Sequence, residues 1–66
     1  MNDTEYTPIE GLIMHITRRA VLVKVEGADD VWITLSVIHE EDVQALSVHE
    51  YMEINIAAWF CAKEGL

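Results

Sequence analysis

Between Ala20 and Glu26 the chain alternates without a break: Val21, Val23 and Val25 point one way, Leu22, Lys24 and Glu26 the other. A period of two describes a strand with one buried face and excludes a helix. Gly27-Ala28-Asp29-Asp30 then reads as a turn, and Val31-Trp32-Ile33-Thr34-Leu35 resumes the alternation with Val31, Ile33 and Leu35 on one face. Two such runs joined by a short Gly-containing loop predict an antiparallel hairpin. The rest of the 66 residues must pack against it.

Ile9 to Ile16 predicts a further strand, with Leu12, Met14 and Ile16 on one face. The link Thr17-Arg18-Arg19 is short enough for a hairpin but lacks the Asn-Gly or Asp-Gly of the favoured tight turns, so a bent or bulged corner fits equally. Met1 to Pro8 is polar and reads as a mobile tail, leaving residues 9–66 as one globular domain. Ser36 to Ser47 admits two readings: a helical turn capped by Ser36 with Glu40, Glu41 and Asp42 near its positive end, or a short turn at Ser36–His39 followed by an acidic loop. Val48 to Ile56 returns to a strand, with Met52, Ile54 and Ile56 inward and Tyr51, Glu53 and Asn55 outward. Ala57 to Glu64 reads as a short helix stopped at Gly65, with Ile56, Phe60 and Lys63 on one side and Trp59 plugging helix to sheet. The predicted fold is α+β and mostly β. It is a three- to four-stranded antiparallel sheet, or small open barrel, packed with a short C-terminal helix.

A single domain of this length buries roughly 60% of its unfolded surface, a regime in which small proteins often rely on disulfides or a metal. Cys61 is alone, so no intramolecular disulfide forms, and a reducing cytoplasm is the expected home. The apolar content of 52% separates the chain from disordered acidic tails. No apolar stretch is long enough to span a bilayer.

Charge narrows the partners. In Met1–Lys24, Asp3, Glu5 and Glu10 are balanced by Arg18, Arg19 and Lys24, so the net −8 falls on Val25–Leu66, where Lys63 is the only base. Such a field repels nucleic acid and anionic membrane and favours a groove lined by Lys and Arg.

From Ala20 onward the chain resembles a family of small phage and prophage proteins. The matching residues are Ala20-Val21-Leu22-Val23-Lys24-Val25-Glu26-Gly27, Val31-Trp32-Ile33, Ser36, Ile38-His39-Glu40, Ile56, Trp59 and Gly65-Leu66. They are core and turn residues, and the resemblance implies a fold and a phage origin rather than a chemistry. The chain departs from the pattern at Thr34, where Pro is common, at Leu35, where a polar residue is common, and at Ala57-Ala58, where a Pro and an acid precede the tryptophan. Polar-to-apolar changes of this kind point to a contact patch.

Catalytic and metal signals are weak. His15, His39, His49 and Cys61 lack the spacing that brings two metal ligands together, and His39 beside Glu40, Glu41 and Asp42 reads as a solvated acidic turn. Cys61, between Phe60 and Ala62, reads as a buried inert thiol. Ser36 and Ser47 lack a nucleophile elbow. A domain this small has little room for a pocket of roughly 300 Å³ or more. No enzyme and no cofactor is expected. Trp32, Tyr51 and Trp59 would let a small barrel stack bases, but the four bases Arg18, Arg19, Lys24 and Lys63 make no basic track.

The acids carry the functional expectation. By size and acidity the chain is similar to anti-CRISPR and anti-restriction DNA mimics. That similarity implies a phage inhibitor in the host cytoplasm, occupying the DNA-binding or protospacer-adjacent-motif site of a basic host complex. Asp29, Asp30, Glu40, Glu41 and Asp42 would stand in for phosphates, with Glu26, Glu50 and Glu53 in support. The competing expectation is a phage adaptor docking through an apolar patch of Leu35, Val37 and Tyr51, with acidity serving only solubility.

Overall fold

The computed structural model describes residues 5–66. Four antiparallel strands, β1 (Tyr6–Ile16), β2 (Ala20–Val25), β3 (Val31–Thr34) and β4 (Tyr51–Ala57), form one open sheet in the order β3-β2-β1-β4. A 3-10 turn (Leu35–Val37) and two short helices, α1 (Glu40–Ala45) and α2 (Ala58–Glu64), complete it. The fold is thus α+β and mostly β, with the hairpin of Val21/Ile33 and Val23/Val31 pairs at one side.

β1 begins at Tyr6, ahead of the expected entry at Ile9: Tyr6, Thr7 and Pro8 pair with Ala57, Ile56 and Asn55. Residues 1–4 of the expected tail lie outside the described residues. Pro8 fits because of the ladder phase. Ile13 donates its N–H to the Glu50 carbonyl at 2.9 Å, so alternate residues face β4 and the nitrogen of Pro8 faces away. On that side β2 has already ended, at Val25 opposite Gly11, so no ladder bond is lost.

The alternation expected for β1 is corrected. A bulge between Ile13 and His15 inserts one residue, so that Ile13 pairs with Val23 and Ile16 with Val21. Ile9, Gly11, Ile13 and Ile16 therefore face inward, while Leu12 opposes Lys24 on the outer face. The expected face of Leu12, Met14 and Ile16 does not exist, because the extra residue resets the period in mid-strand.

Neither reading of Ser36–Ser47 is complete. A 3-10 turn starts at Leu35, Ile38 bridges to Ile56, and a helix follows whose cap is His39, with its Nδ1 accepting the Glu41 N–H at 3.2 Å. These contacts cover the free edge of β4. His39 N–H donates to the Asn55 carbonyl at 2.9 Å, and Asp42 Oδ2 accepts the Asn55 N–H at 2.8 Å and its side-chain amide at 3.1 Å. The chain thus passes from one edge of the sheet to the other within a few residues, which requires the sheet to curl over its core.

That core lies on the inner face. Ile13, Val21, Val23, Ile33, Ile54 and Ile56 are fully enclosed, and Val37, Ile38, Ala57, Phe60 and Cys61 close over them. Each enclosed aliphatic side chain contributes about 1.5–3 kcal/mol relative to exposure. Two expectations change here. Val37 is core, not contact surface, and Trp59 is 61% exposed while Phe60 and Cys61 join helix to sheet. α2 starts one residue after Ala57 and stops at Gly65 in the left-handed conformation, φ 75°, as the sequence predicts.

Candidate interaction face

Among the described residues no helix or strand covers the outer face of the sheet, where Glu10, Lys24, Trp32, Tyr51 and Glu53 are exposed, and the pairing register decides what stands on it. Across one row Glu10 opposes Glu53; one step further, Leu12 lies between Lys24 and Tyr51; beyond the bulge, Leu22 lies between His15 and Trp32. Glu26 follows Val25, the partner of Gly11, and lines an open groove of about 410 Å³ with Leu12, Lys24 and Tyr51. Adjacent strands lie about 4.8 Å apart. Glu10 and Glu53 therefore form a carboxylate pair across two strands, and Glu26 follows the last β1–β2 pair, Gly11–Val25, in the turn that leaves β2. The groove exceeds the expected room for a pocket, but it is a trough on the sheet rather than an enclosed cavity.

Like charges directly opposed on neighbouring strands destabilise a sheet. Glu10 and Glu53 are such a pair. Sequence reasoning missed Glu10 because it falls in the charge-balanced part of the chain, and only the β1–β4 register brings it beside Glu53. Its signal was the alternation of Pro8, Glu10 and Leu12, which places Glu10 on the same face as Leu12.

The other expected acids flank this pair. Asp29 and Asp30 are exposed in the β2–β3 turn, Glu40 and Glu41 are exposed in the first turn of α1, and Glu50 is exposed just before β4. Asp42 differs: its carboxylate oxygen is engaged by Asn55 and half-buried, so it holds α1 against the β4 edge. The hairpin turn, which includes Glu26, and α1 lie at opposite edges of the sheet, and the Glu10–Glu53 pair on β1 and β4 lies between them.

The apolar patch expected from Leu35, Val37 and Tyr51 is not assembled. Leu35 packs on the core, Val37 is buried within it, and Tyr51 stands on the opposite, outer face, 58% exposed. On the outer face of the sheet the half-buried Leu12 and Leu22 stand with exposed Trp32 and Tyr51. Trp32 is half exposed and receives His15 edge-on at 6.2 Å.

Among the described residues no group of three His, Cys, Asp or Glu side chains is arranged to hold a metal. His39 is a helix cap against Tyr6 (ring centroids 5.1 Å apart), and His49 occupies a turn. Cys61 is buried beside the Ile56 carbonyl at 3.9 Å; burial pushes its thiol pKa up, and a hydrogen bond with Thr7 opposes this. Among the described residues no helix is long and apolar enough to cross a membrane. Comparison with family models, with curated proteins and with solved structures gives no match to this chain.

Proposed function

We propose that the chain is an acidic inhibitor, a phage counter-defence protein that occupies the Lys/Arg-lined DNA site of a host nucleic-acid-targeting complex as an anti-CRISPR-like DNA mimic. The observation that supports this most is the cross-strand Glu10–Glu53 pair on the outer sheet face, with Glu26 in the adjoining turn and Asp29-Asp30 and Glu40-Glu41 exposed beyond it. A cross-strand Glu pair costs stability, and natural sequences retain such conflicts where a partner uses the charge. Glu50 adds charge at the start of β4, while Asp42 contributes by fixing α1 in place.

The test is a capture experiment with the immobilised chain and host nucleic-acid-binding proteins, run against duplex DNA at low and at molar salt. DNA displaces the captured protein, binding falls steeply with salt, and the triple variant Glu10→Gln/Glu26→Gln/Glu53→Gln captures nothing while being more stable than the parent. A complex that survives molar salt, or that forms with DNA still bound, overturns the reading.

A second reading has its own observation: Leu12 and Leu22 stand with exposed Trp32 and Tyr51 on the same face. It makes the chain an adaptor docking by apolar contact, with acidity a matter of solubility. Leu12→Lys then abolishes binding while the triple Gln variant leaves it intact.

A further inference from the structure

The two edges of the sheet are treated differently. The β4 edge is covered by Ile38, His39 and Asp42, whereas the β3 edge has nothing beside it among the described residues. The Leu35 N–H donates to the Arg19 carbonyl at 2.7 Å, extending the β2–β3 ladder by one pair. In an antiparallel ladder such pairs alternate, so Ile33 and Val31 bond to β2. Trp32 therefore directs its backbone N–H and C=O, and Thr34 its N–H, away from the sheet, while the Thr34 carbonyl starts the 3-10 turn. β3 carries neither charge, proline nor bulge, the usual protections of an exposed edge.

We propose that this edge pairs with the same edge of a second copy, forming a two-fold symmetric dimer with a continuous eight-stranded sheet. Charge selects the occupant. Exposed Asp29 and Asp30 precede β3, and exposed Arg18 and Arg19 stand at its other end, where both the Leu35 N–H and the Thr34 hydroxyl bond the Arg19 carbonyl. Antiparallel pairing of two identical β3 strands sets the acids of each copy beside the arginines of the other, twice. The faces of the sheet match only when Trp32 pairs with an outward residue, and the register centred on Trp32 pairs Thr34 with the second copy's Asp30. The net charge does not oppose this. From Arg18 to Asp30 three bases and three acids cancel, so the hairpin together with the two arginines at its base carries none of the net −8. An edge this short belongs to the weaker class of interfaces, with dissociation in the micromolar range.

Sedimentation equilibrium of the full chain tests the proposal. The parent shows a reversible approach to twice its 7.5 kDa mass with rising concentration. Thr34→Pro suits the Thr34 backbone, whose φ is −67°, and removes an N–H that β2 does not use. It weakens the dimer about thirtyfold through two symmetry-related hydrogen bonds, with unchanged circular dichroism. Asp29→Arg/Asp30→Arg and Arg18→Asp/Arg19→Asp are each monomeric alone and associate when mixed. A parent that stays monomeric to near-millimolar concentration overturns the proposal, as does a dimer indifferent to Thr34→Pro or paired variants that fail to associate when mixed.

Discussion

Gly11 shows how much one atom decides at the scale of a residue. A Cβ there would lie 2.5 Å from Val23 Cγ1 and 2.9 Å from the Lys24 carbonyl oxygen, so β1 and β2 meet only because Gly11 has no side chain. Gly11→Ala is expected to cost about 1–3 kcal/mol, read as a lowered urea midpoint with an unchanged slope. Asp42 is the opposite case, a residue whose charge does structural work. Asp42→Ala leaves the half-buried Asn55 N–H without its acceptor and is expected to cost about 1–3 kcal/mol, whereas removing exposed Glu40 or Glu41 stays within about 0.5 kcal/mol. Cys61 titrates late because burial disfavours its thiolate. Its folded pKa is raised, so below the ordinary thiol pKa both states are protonated and Cys61 adds no pH dependence to stability. Above it the unfolded chain ionises first, and stability falls as pH rises. A thiol reagent should accordingly label Cys61 at the rate of unfolding and not before.

Among the elements, the turn into β4 and the two sheet edges carry the consequences. His49 has φ +72°, while its N–H donates to the Ile13 carbonyl at 2.6 Å, so the left-handed conformation is imposed by the pairing that starts the β1–β4 ladder. His49→Val is expected to cost about 1–2 kcal/mol, and His49→Gly is expected to cost nothing, in thermal melts of the two variants side by side. β2 and β3 were legible from sequence because unbroken alternation and a Gly turn permit one local answer. β1 was only partly legible. A bulge is a one-residue event with no composition of its own, and the phase of Leu12, Met14 and Ile16 depends on what β2 and β4 require. α1 was half legible: the acids of its first turn suited a helix start, but its cap is His39 rather than Ser36, and its place is held by Asp42 against Asn55, a contact thirteen residues away.

For the whole molecule the charge has an arrangement that its sum conceals. Counted with Arg18 and Arg19 at its base the β2–β3 hairpin is neutral, and the net −8 lies in the rest of the chain, with three of those acids on α1. A net −8 within a radius of gyration of 10.9 Å makes self-repulsion significant. The melting temperature is therefore expected to rise as salt is added from low concentration to about 0.5 M, where the screening length falls to a few ångströms. Melting that is flat across that range would show that the acids lie too far apart to repel one another. Of the candidate site, Asp29, Asp30, Glu40 and Glu41 were legible as exposed turn or helix-start residues, and Glu26 and Glu53 by their alternation. Glu10 and the dismissal of the Leu35–Val37–Tyr51 patch were not, because both rest on which strand lies beside which.

By itself the sequence determined the fold class, the β2–β3 hairpin, the inward face of β4 and the stop of α2 at Gly65. These are consequences of local periodicity and of backbone conformations that few residues accept. Only the tertiary structure decided the phase of β1, the burial of Val37, the exposure of Trp59 and the meeting of Glu10 with Glu53. Each depends on register between segments far apart in the chain, and a shift of one residue in register exchanges the two faces of a strand.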